Sequence, residues 1–332
     1  MQKEMILTGI KPTGTPHIAN YLGAIKPAIE FTNNNEKYDC FYFIADYHAL
    51  TTIKTKEDMK MYTYEIASTW LACGLDPKKV ILYKQSDIPE IFELYTILTN
   101  VTPKGLMNRA HAYKSIVDEN TKLNVDVDNN VNMGLYNYPI LMAADILLFN
   151  SDKVPVGLDQ KQHIEIARDI AVYFNNRYGN IMKIPDEIIK KEVETIVGLD
   201  GRKMSKSYNN TIEMFLPEDK LLKTINKIVT DSSAPDAPKG VDNTIFELYK
   251  LFATETETLQ FKESLLNGIS WGDAKKELFN KMNEVIKPMR EKYDYYINNP
   301  DVVDEILKNG AKKAKKIAEQ NLIQIKKAIG VI

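Results

Sequence analysis

The chain has 332 residues, of which 44% are hydrophobic and 27% charged, with a formal net charge of −2. That length suits one large domain plus a smaller one, and the balanced charge excludes a wholly basic, histone-like DNA binder while permitting a local basic patch for RNA. Two cysteines, Cys40 and Cys73, are too few for a disulfide scaffold or a four-thiolate metal site. The opening Met-Gln-Lys-Glu-Met-Ile-Leu lacks a signal-peptide pattern, and the apolar run 140–149 is too short for a membrane span and interrupted by Asp145, so a reducing cytoplasm is the expected setting.

Residues 5–8 form the first predicted strand, followed by the turn-rich loop Gly9-Ile10-Lys11-Pro12-Thr13-Gly14-Thr15-Pro16. From His17, the spacing of Ile18, Tyr21, Leu22, Ile25 and Ile29 is helical. Residues 40–45 and 80–83 read as further strands, 56–73 and 89–101 as helices, and 134–149 as a mostly apolar helix holding one carboxylate. Alternating strands and helices predict an α/β, Rossmann-like domain with a parallel sheet over residues 1–207, binding its ligand beyond the strands' carboxyl ends. Residues of about 186–200 connect it to a basic loop. Beyond Tyr208 predicted strands disappear, and residues 208–332 read as a smaller, all-helical domain. Its last segment, 302–329, places Val303, Ile306, Leu307, Ala314, Ile317, Ala318, Leu322 and Ile325 on one stripe, with Lys308, Lys312, Lys313, Lys315, Lys316, Lys326 and Lys327 over much of the rest. A solvated basic face and an RNA contact both fit that pattern.

Two segments carry the chemistry. In Gly198-Leu199-Asp200-Gly201-Arg202-Lys203-Met204-Ser205-Lys206-Ser207, the two lysines are three apart, so a turn would project them to one side, and Gly201 frees the backbone before them. Such cations suit a phosphate whose charge grows as a bond breaks; the plain alternative is a solvated loop. In Pro12-Thr13-Gly14-Thr15-Pro16-His17-Ile18-Ala19-Asn20, a helix beginning near His17 would set His17 and Asn20 on one face and offer free N–H groups to phosphate. Gly14 would let a bulky ligand approach, and Gly9 a flat adenine ring. Asp126, Asp128 and their asparagines lack the glycine and glutamate offsets of a calcium loop.

Taken together, His17-Ile18-Ala19-Asn20 and Lys203-Met204-Ser205-Lys206-Ser207 resemble the paired ATP motifs of class I aminoacyl-tRNA synthetases, with Ala19 and Asn20 standing where the first motif usually has Gly and His. The blocks 43–51, 134–149 and 154–163 resemble the tryptophan-specific branch. That resemblance implies a tryptophan–tRNA ligase that activates L-tryptophan with ATP and Mg²⁺ and transfers it to its tRNA, working as a cytoplasmic homodimer. It implies that residues 208–332 bind the anticodon and that the last helix packs back on the catalytic domain. Carried over residue by residue, it places His17, Asn20, Lys203, Ser205 and Lys206 at the reacting phosphates. Lys11, Pro12, Thr13, Ala19, Asn20, Gly157, Leu158, Asp159, Ile196, Lys203, Met204, Ser205, Lys206 and Ser207 would bind ATP. Asp145 would accept the indole N–H, a donor-only group, with Leu7, Met142, Val154 and Val156 as apolar walls, Tyr138 and Gln160 near the amino group, and His48 close by. Tyrosyl-tRNA synthetase, a non-catalytic RNA- or nucleotide-binding paralogue and a small nucleotidyltransferase are the alternatives.

Overall fold

A computed structural model describes residues 3–32, 36–189 and 196–332. Five strands, β1 (Glu4–Ile10), β2 (Tyr38–Ile44), β3 (Ile81–Lys84), β4 (Lys153–Pro155) and β5 (Asp186–Ile188), form one parallel sheet in the order β3-β2-β1-β4-β5. The strands are apolar on both sides because both sides are covered. Alternate residues divide between the faces: Ile6, Tyr42 and Leu82 point to one, Leu7, Phe41, Phe43 and Tyr83 to the other.

The helices follow in chain order: α1 (Ile18–Asn20), which passes through a π-helical turn (Tyr21–Ile25) into α2 (Lys26–Thr32), then α3 (Asp46–Ala49), α4 (Lys56–Ala72), α5 (Glu90–Thr99), α6 (Lys104–Met107), α7 (His111–Leu123), α8 (Met133–Leu148) and α9 (Lys161–Tyr178). After the sheet come α10 (Glu218–Ile225), α11 (Thr244–Tyr249), α12 (Glu255–Leu266), α13 (Trp271–Asn298) and α14 (Pro300–Ile329), with no strand among the described residues. The α/β fold and its helical tail are those expected from the alternation of patterns. The expected connector of about 186–200 instead begins as β5, the edge strand paired with β4, and its residues 190–195 lie outside the described residues.

Strand order reverses direction between β1 and β4, so the loops leaving these two strands diverge and open a crevice at their carboxyl ends. The loop after β1 carries Lys11 to Asn20, and that after β4 carries Val156 to Gln160. On the opposite edge, α14 wraps over β3. Its first half buries Val303 and Leu307 with one face of the sheet, and its second half buries Ala314, Ala318, Leu322 and Ile325 with the other. Gly310 sits where helix crosses strand: a Cβ there would lie 1.8 Å from the Leu82 carbonyl oxygen. The crossing covers an otherwise open sheet edge. Some of the lysines are engaged within the fold, Lys326 with Glu93 at 2.7 Å and Lys315 with Glu90 at 3.9 Å.

Candidate active site

Asp145 lies in α8 and is 1% exposed. Its apolar neighbours along the helix exclude water, so its charge must be met by protein donors. Two, making three hydrogen bonds, arrive from beyond the ends of β2 and β3. Gln85 Nε2 donates to both carboxylate oxygens at 2.9 and 3.0 Å, and His48 Nε2 donates to Oδ2 at 3.0 Å. Burial pushes the Asp145 carboxyl up from its ordinary value, with the His48 and Gln85 bonds opposing. A carboxylate has about four acceptor positions, so one further donor is accommodated. The Tyr138 ring meets His48 edge-on with centroids 6.0 Å apart, and its hydroxyl bonds His163. Leu7 and Val154 are buried in the same apolar cluster, against which Met142 and Val156 pack. The sequence-predicted indole residues are thus contiguous, with Gln160 half-buried at the end of the β4 loop. Gln85, which directly follows β3, was missed, because a polar residue after a strand does not say which group it will meet.

The second cluster surrounds the loop after β1. The first motif is stitched by backbone to residues 212–214, just past the second. Ile18 N–H donates to the Ile212 carbonyl at 2.9 Å, Met214 N–H to Pro16 at 3.0 Å, and His17 bridges Glu213 in antiparallel fashion. His17 precedes α1, and its N–H donates to Asn20 Oδ1 at 3.0 Å, which leaves the Asn20 amide nitrogen as a donor for another partner. The expectation of free N–H groups at this helix start needs correction, since Ile18 N–H is taken by Ile212 and Asn20 N–H turns back to His17 O at 2.8 Å. Gly9 also differs from expectation: the Phe43 ring, not an adenine, occupies the space above it, 2.5 Å from where a Cβ would stand. Gly14 has φ +122°, and Lys206 Nζ lies 2.6 Å from a would-be Cβ, so a side chain here would be strained and would displace the lysine.

Lys206 Nζ reaches the Thr13 carbonyl at 3.5 Å. Burial lowers its pKa while Glu65 and Glu213 hold it up. Glu65, on α4, is pushed up by burial, with a hydrogen bond from Thr15 and the nearby Lys206 opposing. Burial first, and Lys206 second, lower His17 to about 4, so it is neutral near pH 7 and acts as a donor rather than a cation. Lys203 does not share a helix face with Lys206 as expected: its backbone bridges Val197, and the short 3₁₀ turn starts only at Lys206. Met204 and Ile196 turn into the core at 4% and 7% exposure, and Met204 N–H donates to the Ile196 carbonyl at 2.8 Å. Ser205 caps the 3₁₀ turn, accepting from Ser207 N–H at 3.3 Å. Lys11 donates to Thr51 and Thr52 hydroxyls at 2.7 and 3.0 Å; Pro12 is buried and Ala19 half-buried. Gly157 precedes a 3₁₀ turn with Leu158 68% exposed, and the Asp159 side chain lies outside the described residues. Glu65, Thr15 and Glu213 carried no signal in the sequence, because only folding brings them to Lys206.

A family model described as tRNA synthetases class I (W and Y) matches residues 2–287. The chain belongs to this family of class I aminoacyl-tRNA synthetases. Within it, the Tryptophan–tRNA ligase of Neisseria meningitidis serogroup A is 48% identical over 333 residues, spanning 100% of this chain and 99% of the relative. That of Bordetella parapertussis is 50% identical over 329 residues, spanning 98% of this chain and 73% of the relative. The solved tryptophanyl-tRNA synthetase of Campylobacter jejuni, complexed with ADP and tryptophan, superposes with a TM-score of 0.89 at 43% identity, covering 98% of this chain and 99% of that one. The enzyme is therefore an aminoacyl-tRNA synthetase of the tryptophan branch.

Proposed function

We propose that this tryptophan–tRNA ligase uses the Asp145 slot for the indole ring and the crevice between the β1 loop and the lysine loop for ATP. The observation that carries the reading is a buried carboxylate on an otherwise apolar helix, bonded by His48 and Gln85 through three of its about four acceptor positions. Indole N–H is a donor only, and a phenylalanine ring would leave that acceptor unpaired. Leu7, Met142, Val154 and Val156 wall the ring, with Tyr138 and Gln160 toward the amino group.

The tryptophan carboxylate attacks the α-phosphorus of ATP, forming tryptophanyl-adenylate and releasing pyrophosphate; a hydroxyl of the terminal adenosine of tRNA then takes the acyl group and AMP leaves. No side-chain nucleophile is required, so catalysis rests on alignment and on charge stabilisation at phosphate. Neutral His17 and the Asn20 amide donate from one side, and Lys203, Lys206 and Ser205 act from the other. Lys11, Pro12, Thr13, Ala19, Ile196, Met204 and Ser207 line the nucleotide, with Gly157, Leu158 and Asp159 toward the ribose. Mg²⁺ enters with the nucleotide, held by phosphate oxygens and water.

The same reading makes residues 208–332 the anticodon-binding part and the enzyme a cytoplasmic homodimer. No helix among the described residues is long and apolar enough to cross a membrane. Exposed Leu123, Val125, Val127 and Met133 at one end of α7 and α8 supply apolar surface consistent with self-association. Amino-acid-dependent ATP–pyrophosphate exchange tests the function: tryptophan supports it and tyrosine and phenylalanine do not. Exchange driven by tyrosine would overturn the slot assignment.

A further inference from the structure

The lysine loop is exposed, yet its backbone is held by one buried side chain. Asn210 is 2% exposed, and every polar atom of its amide is engaged. Its Oδ1 accepts from Ser205 N–H at 2.8 Å, and its Nδ2 donates to the Lys203 carbonyl at 3.1 Å and to Asp200 Oδ1 at 2.7 Å. Its own carbonyl accepts from Leu199 N–H at 3.0 Å. The two peptide groups it grips lie on either side of Met204, between the lysines. Asp200 sets the amide's orientation: bonds from Asn210 first, then from Arg202, hold its carboxyl down at about 2, so it can only accept. Gly198 supplies the room, because a Cβ there would stand 2.4 Å from the Asn210 amide.

We infer that Asn210 is a positioning residue for amino-acid activation, presetting the backbone that delivers Lys203 and Lys206 to the triphosphate. Only an amide fits this place. A leucine would leave a buried N–H and C=O without partners, and a carboxylate would face both the Lys203 carbonyl and Asp200. The role rests on the proposed use of this loop at phosphate, but its geometric half is independent of that use.

The test uses the full chain. Asn210→Ala is expected to lower kcat for tryptophan-dependent ATP–pyrophosphate exchange by about 100-fold, the scale of an ångström's misplacement, while tryptophan affinity measured without nucleotide stays within about twofold. Trypsin should cut after Lys203 and Lys206 about tenfold faster than in the parent, as the loop opens locally. Asn210→Asp is expected to be at least as impaired, and the swap Asp200→Asn with Asn210→Asp to recover part of the loss by restoring a donor opposite an acceptor. Should Asn210→Ala not fold, Asp200→Ala, at the partly exposed end of the same bond, is expected to show the same changes more weakly. Parent-like exchange and parent-like cleavage in these variants would overturn the proposal, as would a parallel loss of tryptophan affinity. Faster cleavage with unchanged exchange would instead overturn the use of the loop at phosphate, and with it the positioning role.

Discussion

Asp145 and Lys206 both lie beyond the carboxyl ends of the strands, but they are held in opposite ways. The carboxylate is 1% exposed and receives three short bonds from side chains anchored to neighbouring strands. The Lys206 side chain is exposed, and its ammonium reaches the Thr13 carbonyl at 3.5 Å with Glu65 and Glu213 nearby. A site that discriminates one ring from another needs its acceptor preset and desolvated, because the penalty for a wrong substrate is an unpaired buried group. A site that stabilises charge developing on phosphate gains from a cation that can still adjust to it.

The contrast predicts different failures. Lys206→Ala should lower exchange kcat by about 100- to 1,000-fold with tryptophan affinity retained; equal losses in both would erase the distinction between slot and loop. Asp145→Asn should do the reverse, lowering kcat/KM for tryptophan by about 100-fold while the KM for ATP changes little, which steady-state exchange at varied tryptophan and ATP would read. Gln85→Ala should weaken tryptophan by a smaller amount, about 1–2 kcal/mol, since it strips one donor from a carboxylate that keeps His48; calorimetric titration checks it.

Two weaker effects sharpen the comparison from outside the slot. Gly310→Ala should destabilise the fold by about 1–3 kcal/mol, as its methyl collides with β3, seen in urea unfolding, without altering the ratio of exchange on tryptophan to that on tyrosine. The last concerns pH. His17 binds its proton more weakly when folded, at about 4 against 6.5 unfolded, so between those values the unfolded chain holds more protons and stability rises with pH. The contribution is complete above 6.5 and is lost as pH falls toward 4. His17→Gln should flatten unfolding free energy across that window, and an unchanged slope would contradict the burial argument.

Much of this was legible in residues. The strands β1, β2 and β3 and the last helix declared themselves by apolar runs and periodicity, and the family by the lysine loop and the block around one acid in an oily helix. What stayed hidden were relations between distant segments. Nothing in Gln85 announces a bond to Asp145, nor does Asn210 advertise its hold on Lys203 and Ser205. Gly9 misled because a glycine shows that something comes close without saying what; here it is Phe43 from the next strand.

The sequence by itself therefore determined the parallel α/β class, the first three strands and the helical tail, because these depend on local pattern and side-chain chemistry. Tertiary structure alone decided which donors meet Asp145, that the first-turn N–H of Ile18 is committed to Ile212, and that the lysine loop rests on a buried amide. Those outcomes depend on hydrogen-bond accounting across strands and loops far apart in the chain, where each buried polar group must find whichever partner the packing brings within reach.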